Sequence, residues 1–266
     1  MPSRHASTPD SQTPIVRRTR ATRRSDIEAD VLCGLNNGTC ESATLAEGLA
    51  VDFQCLLKCL VPEVTPAEVS LVRAEDGITK RMKIVGEILA VRFGPAGVER
   101  FLRHRSDTVR GWCAYLISAL PGLTLPQFLD QIRPLANDPH FGVREWAWMA
   151  ARESIAGSID EAIQSLVPWT ADSSEYVRRF ASESTRPRGV WCAHITVLKN
   201  EPKRGLKLLD PLRSDPSKYV RDSVANWLND ASKTQPAWVR SVCDRWVLES
   251  PTSETGSLVK RATRNL

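Results

Sequence analysis

The chain contains no run of about eighteen uncharged apolar residues, so a membrane-spanning helix is excluded. Its opening residues have no apolar core fit for a secretory signal, which predicts an intracellular chain. Strand-like alternation is scarce. Histidine is rare, with 4 in all, and no CxxC or HxxxH spacing occurs, so four converging zinc ligands are not expected. The 7 cysteines (Cys33, Cys40, Cys55, Cys59, Cys113, Cys192 and Cys243) are odd in number, which argues against a disulfide framework and predicts reduced, small buried hydrophobes. Tyrosine is nearly absent, at 3 residues against 8 tryptophans, and every tryptophan lies after residue 111.

What is present is an ordinary globular balance: 266 residues, 42% apolar and 25% charged, long enough to bury a core without staples. The net charge of +5 is unevenly spread. Residues 1–24 hold six arginines against the single acid Asp10 and account for all of it. Pro2, Pro9 and Pro14 and many hydroxyl residues predict a disordered basic tail, able to add salt-sensitive DNA affinity, with an organelle transit segment as the alternative. Residues 25–266 form the expected single repeat domain. Within it, residues 25–170 carry 13 basic and 19 acidic side chains and residues 171–266 carry 17 and 11, so the two parts have opposite sign.

Apolar residues recur at three and four through 41–61, 79–93, 106–119, 141–155, 188–199, 218–231 and 235–248, which predicts helices. Pro121-Gly122, Pro187, Pro202, Pro216 and Pro236 punctuate them at short intervals. Val-Arg returns at Val109-Arg110, Val143-Arg144, Val177-Arg178 and Val220-Arg221, spaced by 34, 34 and 43 residues. Asp138, Asp172 and Asp215 each stand six residues before the arginine, where they suit a helix N-cap, with Pro139 and Pro216 at the first helical position. The expected fold is an all-α solenoid of antiparallel HEAT-like helix pairs with a concave binding face.

Three segments bear chemistry. Arg144, Trp148 and Arg152 follow one another at helical spacing, beside Glu145, a pattern suited to gripping phosphates around a stacked base; packing of Trp148 against the next repeat is the structural alternative. In KYVRDSVANWLNDASK, Asn226, Asn229, Asp230 and Lys233 lie off the packed stripe, held there either by ties to the next helix or by a carboxylate aimed into a groove. In SESTRPRGVW, Arg186 and Arg188 flank Pro187, which predicts two guanidinium groups near a helix N-terminus, followed by Trp191.

RRFASESTRPRGVW and DPSKYVRDSVANWLNDASKTQP resemble the AlkC branch of the HEAT-like DNA alkylation-repair glycosylases (AlkC/AlkD-type), in a form without the immunoglobulin-like extension. The match is good over residues 138–249 and weak to about residue 100. The resemblance implies hydrolysis of the N-glycosidic bond of cationic alkylated bases, chiefly 3-methyladenine, in duplex DNA without base flipping, for base excision repair. Water is the only co-reactant, so no cofactor and no metal are implied. The implied partner is double-stranded DNA with alkylated bases, bound by a monomer, with no membrane, in a bacterial-type cytoplasm and nucleoid. Carried over, the family's acid falls on Asp230 and its tryptophan on Trp191. Arg186 and Arg188 match the motif's arginines, and Arg144, Arg152, Asn226 and Lys233 are the further DNA-binding candidates. A third family position, a glutamate, falls on Trp148. Three readings stay open: Glu145, one turn earlier, substitutes; Trp148 is a second aromatic wall; or catalysis is lost and the protein only binds damaged or branched DNA. Trp148, Trp191 and Asp230 are 43 and 39 residues apart, about one repeat each, which predicts their convergence.

Overall fold

The computed structural model describes residues 20–189 and 191–266, and among them there is no strand. The helices are α1 (Ala29–Asn36), α2 (Leu45–Ala50), α3 (Phe53–Leu60), α4 (Pro66–Leu71), α5 (Ile78–Phe93), α6 (Ala96–Phe101), α7 (Asp107–Ala119) and α8 (Leu125–Ala136). They continue with α9 (Phe141–Gly157), α10 (Ile159–Leu166), α11 (Glu175–Glu183), α12 (Thr196–Asn200), α13 (Leu206–Leu209), α14 (Lys218–Ser232), α15 (Pro236–Glu249) and α16 (Ser253–Ala262). No helix among the described residues is long and apolar enough to cross a membrane.

The architecture is the expected α-solenoid. One row of helices runs α5, α7, α9, α11, α14, α16, with α7 packed between α5 and α9 and α14 between α11 and α16. A second row backs it, with α8 against α7 and α9 and α15 against α14 and α16. Each repeat alone cannot bury its apolar faces, and stacking merges them into one core that runs from Leu35 to Ala262. The fully buried Trp112, Trp227 and Trp246 supply much of its bulk. Helices α5 and α7 approach so closely that a Cβ on Gly86 would sit 2.4 Å from that of Tyr115, which only glycine permits. The Pro121-Gly122 turn between α7 and α8 uses the left-handed conformation of Gly122, at φ 78°.

The repeated Val-Arg builds the same device four times. Arg110, Arg144, Arg178 and Arg221 each turn one terminal guanidinium nitrogen back onto the two carbonyls six and five residues earlier, at 2.7–3.1 Å. This ties the entering turn to the helix it precedes. The aspartates, however, are not N-caps. The caps are His140, Ser174 and Ser217, whose side chains accept the N–H of Gly142, Tyr176 and Tyr219. Asp138, Asp172 and Asp215 stand two residues before them and accept the backbone N–H of those cap residues at 2.8 Å. A carboxylate two residues upstream folds the turn instead of closing the helix, so Pro139 and Pro216 lie in the turn and not at the first helical position.

Other expectations shift. The periodic stretch 41–61 is broken by Asp52, which caps α3. Among the described residues of 188–199, only Thr196 onward is helical. Cys113 and Cys243 are buried as expected, but Cys33, Cys55 and Cys59 are exposed on the short N-terminal helices α1 and α3, so the buried-hydrophobe reading fails for them. No grouping fit to hold a metal occurs among the described residues. Of the tail expected over 1–24, residues 1–19 lie outside the described residues. Ala21 is buried, its N–H donating to Glu47 and its carbonyl accepting the Thr44 hydroxyl.

Candidate functional site

Helices α9, α11 and α14 lie side by side, and charged groups on their facing sides form an alternating string. Asp230, in the last turn of α14 and only 5% exposed, accepts the Nε–H of Arg186 on Oδ2 at 2.9 Å and pairs on the same oxygen with Nη2 at 2.8 Å. The other end of the same guanidinium donates to Oε1 of Glu183 at 2.7 Å. Glu183 ends α11, is 3% exposed, and accepts the Ser223 hydroxyl at 2.6 Å on its second oxygen. Arg179 stands 3.6 Å from that oxygen and 2.8 Å from Oε1 of Glu145, with its guanidinium over the Tyr219 ring. Glu145 finally accepts the indole N–H of Trp148 at 2.8 Å. Burial pushes the Glu183 carboxyl up, but Arg179, Arg186 and the Ser223 hydroxyl outweigh it and hold the carboxyl below its ordinary value. Burial likewise opposes the charge of Arg186, and Glu183 with Asp230 more than restore it.

Residues 184–189 and 191–195 adjoin this string through Arg186 and are pinned by Arg152. That arginine is 3% exposed and donates to the carbonyls of Ser184, Arg186 and Ala193, at 3.2, 2.6 and 2.8 Å. Desolvation lowers its pKa, the direction expected for a cation whose partners are mainly neutral carbonyls. Trp191 rides on this segment and is 49% exposed. Arg188 is half-buried and donates to the Asp230 carbonyl at 3.1 Å.

The structure brings Asp230, Arg186, Arg188 and Lys233 together. Lys233 lies 3.5 Å from Oδ1 of Asp230, a loose contact on a side chain that is half exposed. Several expectations are corrected. Arg144 does not project for phosphate: it is buried, bound to the Asp138 and Pro139 carbonyls, and its guanidinium sits 4.0 Å from the Tyr176 ring centroid. Arg152 is a backbone clamp, each of its three nitrogens donating to a carbonyl. Arg186 and Arg188 follow the C-terminus of α11 and stand at no helix N-terminus, and Arg152 holds the Ser184, Arg186 and Ala193 carbonyls around them. Trp148 is 6% exposed, part of the core, and is no aromatic wall for a ligand. Asn226 accepts a bond from Arg264 at 3.3 Å, and Asn229 donates to the Ala262 carbonyl, so the α14 asparagines tie that helix to α16 and its end. A cleft of about 720 Å³ adjoins the pinned segment, lined by Thr79, Tyr115, Arg152 and Cys192; neither Asp230 nor Trp191 lines it.

The sequence profile of the family described as DNA alkylation repair enzyme matches residues 143–264. That match spans a little under half of the chain. The matched segment holds the whole string from Glu145 to Asp230, together with Arg152 and Trp191. The chain is 36% identical over 156 residues to the uncharacterized protein YhaZ of Bacillus subtilis, a match covering 55% of this chain and 42% of YhaZ. Its fold is similar to that of the Pseudomonas fluorescens alkylpurine DNA glycosylase AlkC bound to DNA containing an abasic site analog, with TM-score 0.60 and 23% identity over 89% of this chain. It is also similar to AlkD2 from Streptococcus mutans, with TM-score 0.58 and 22% identity over 78% of this chain and 99% of that one. The chain spans 62% of the length of AlkC and under half that of YhaZ.

Within the matched segment, Glu183 and Arg179 are residues that reading the sequence overlooked, although both lie in the quoted run RRFASESTRPR. A signal was present. An acid in the last turn of a helix opposes the helix dipole, so Glu183 requires cationic partners to be tolerated there, and two arginines within four residues supply them.

Proposed function

We propose that the protein is a DNA glycosylase that hydrolyses the N-glycosidic bond of cationic alkylated bases, chiefly 3-methyladenine, in duplex DNA for base excision repair, without flipping the base. The observation that carries this reading is the Asp230 carboxylate, inside the matched segment, held on one oxygen by Arg186 beside the loop that bears Trp191. A cationic purine departs with the electron pair of the glycosidic bond and becomes neutral. Positive charge then grows on the deoxyribose, where a fixed carboxylate lowers its energy. Water adds at C1′ and releases its proton, with Asp230 as the acceptor or orienting group. Trp191, exposed on a pinned segment, offers a ring face to the cationic base. The DNA backbone is met by Arg188 and Lys233, the basic groups next to Asp230 with exposed surface. Duplex DNA is the partner, the chain acts as a monomer, and its place is the cytoplasm and nucleoid.

The decisive experiment incubates the purified protein with methylated duplex DNA and identifies the bases released. Release of 3-methyladenine is expected, and none at micromolar enzyme rejects the reading. One observation favours a second reading. Trp148, where the family has a glutamate, is core, and Glu145 is engaged by Arg179 and Trp148, so a non-catalytic relative recognising damaged or branched DNA is the alternative. In that case DNA binding persists without base release, and Asp230→Asn binds as wild type does.

A further inference from the structure

We infer that Glu183 is a positioning residue for Asp230, acting through Arg186; this rests on the glycosylase reading above. The geometry leaves Arg186 little freedom. Its Nη1 is taken by Glu183 at 2.7 Å, while Nε and Nη2 clamp one carboxylate oxygen of Asp230. Glu183 is in turn fixed from two other directions, by the Ser223 hydroxyl at 2.6 Å on α14 and by Arg179 at 3.6 Å on its own helix. Ser223 also meets the Ser182 hydroxyl at 2.8 Å, closing the contact between α11 and α14. A guanidinium held at its other end by Glu183 fixes the position of the one carboxylate oxygen it grips.

The consequence is an asymmetric Asp230. Oδ2 is committed to Arg186, and Oδ1 meets Lys233 at 3.5 Å, which is a long and yielding contact. Oδ1 is therefore the oxygen that faces the water or the deoxyribose once Lys233 moves to a phosphate. The string carries three carboxylates (Glu145, Glu183, Asp230) against two guanidinium groups (Arg179, Arg186), with Lys233 as the third cation, so moving Lys233 to a phosphate leaves a surplus negative charge that suits a site that must stabilise a growing cation. Without Glu183, Arg186 loses its anchor, turns toward solvent or DNA phosphate, and releases Asp230 to rotate. Placement errors of about 1 Å at a reacting group cost up to roughly 100-fold in rate.

The test is Glu183→Gln, which keeps the shape and removes the charge. The expected result is a 3-methyladenine release rate at saturating DNA lower by about 10- to 100-fold, with half-saturating DNA concentration within about 2-fold of wild type. On an Asp230→Asn background the same substitution is expected to change the rate by less than about 2-fold, because it acts through a group already disabled. Losses that instead multiply overturn the inference, as does a change confined to DNA affinity. Glu183→Asp, which retains the charge, is expected to recover part of the rate. A crystal structure of Glu183→Gln gives an arm independent of activity: Arg186 is expected to leave Oδ2 of Asp230, and an unchanged Arg186 pair overturns the inference. If wild type releases no 3-methyladenine, the proposed function falls and the crystallographic arm still decides the positioning role. Should Glu183→Gln fail to fold, Ser223→Ala removes only the hydroxyl on Glu183 and is expected to give the same pattern with a smaller loss.

Discussion

Arg110 and Arg186 each hold a buried aspartate across two repeats, Arg110 by both carboxylate oxygens and Arg186 by one, and they sit in different surroundings. Arg110, on α7, takes Asp138 at 2.7 and 3.1 Å and spends a further nitrogen on the His104 and Arg105 carbonyls, with Glu41 closing the set. That pair seals a turn, and the same arrangement returns between Arg178 and Asp215. Arg186 stands on no helix and closes no turn. Its acids belong to two different helices, α11 and α14, and the aspartate keeps one oxygen loosely bound. In one region ion pairing fastens backbone. In the other it arranges a carboxylate, and the two should respond to substitution in different ways.

The largest expected effect is on the fastening side. Arg110→Ala leaves Asp138 buried without its cation, and breaking a buried pair in this way costs about 3–5 kcal/mol. Urea denaturation is expected to show that loss, while the base-release rate per folded molecule stays at the wild-type level. An equal fall in both would erase the distinction between the regions. Asp230→Asn should invert the pattern: base release falls by about 100-fold or more, while the unfolding midpoint moves little because the amide still accepts from Arg186. Trp191→Ala belongs with it, since a half-exposed side chain contributes little to the core and its removal is expected to cost activity alone.

Acid gives a finer comparison. Glu183 has its folded-state carboxyl held below the ordinary value of 4.5 by Arg179, Arg186 and Ser223, against burial. A depressed carboxylate contributes stability that is fully present above the unfolded value and is lost as pH falls through the folded one. Stability is therefore expected to decline in wild type as pH falls below about 5, and less steeply in Glu183→Gln. Denaturant midpoints across that range measure the difference, and identical slopes would remove Glu183 from the account.

How much of this could be read from residues follows from the distance over which each device works. The solenoid was legible because Val-Arg and its upstream aspartate act locally: the arginine of each repeat bonds carbonyls only five and six residues back. The cap positions were misread by two residues because an aspartate serves a turn and a cap with the same chemistry, and only backbone geometry separates them. Arg144 and Arg152 looked like phosphate contacts because periodicity gives a face but not what covers it; Tyr176 and residues 184–189 and 191–195 cover them. Asp230 could be named from the family motif, but its partner Arg186 lies 44 residues away on another repeat. That pairing depends on how α11 and α14 stack, which no spacing within one helix encodes.

The smallest expected effect comes from the place where the regular ladder fails. By the pattern of Arg110 and Arg178, Arg144 should hold Asp172, but it turns to Tyr176 and Tyr219, and Asp172 is held instead by Arg133 of α8. Arg133 is half exposed, so water competes for its charge and holding the long side chain in place costs entropy. Exposed pairs of this kind contribute only about 0–1 kcal/mol. Asp172 also retains its bond from the Ser174 N–H, which shapes the turn without any cation. Arg133→Ala is therefore expected to shift the urea midpoint barely at all, and 0.5 M salt to shift it no further in the variant than in wild type. A loss as large as that from Arg110→Ala would mean that this substitute pair fastens its turn as firmly as the buried ones do, and that burial is not what separates them.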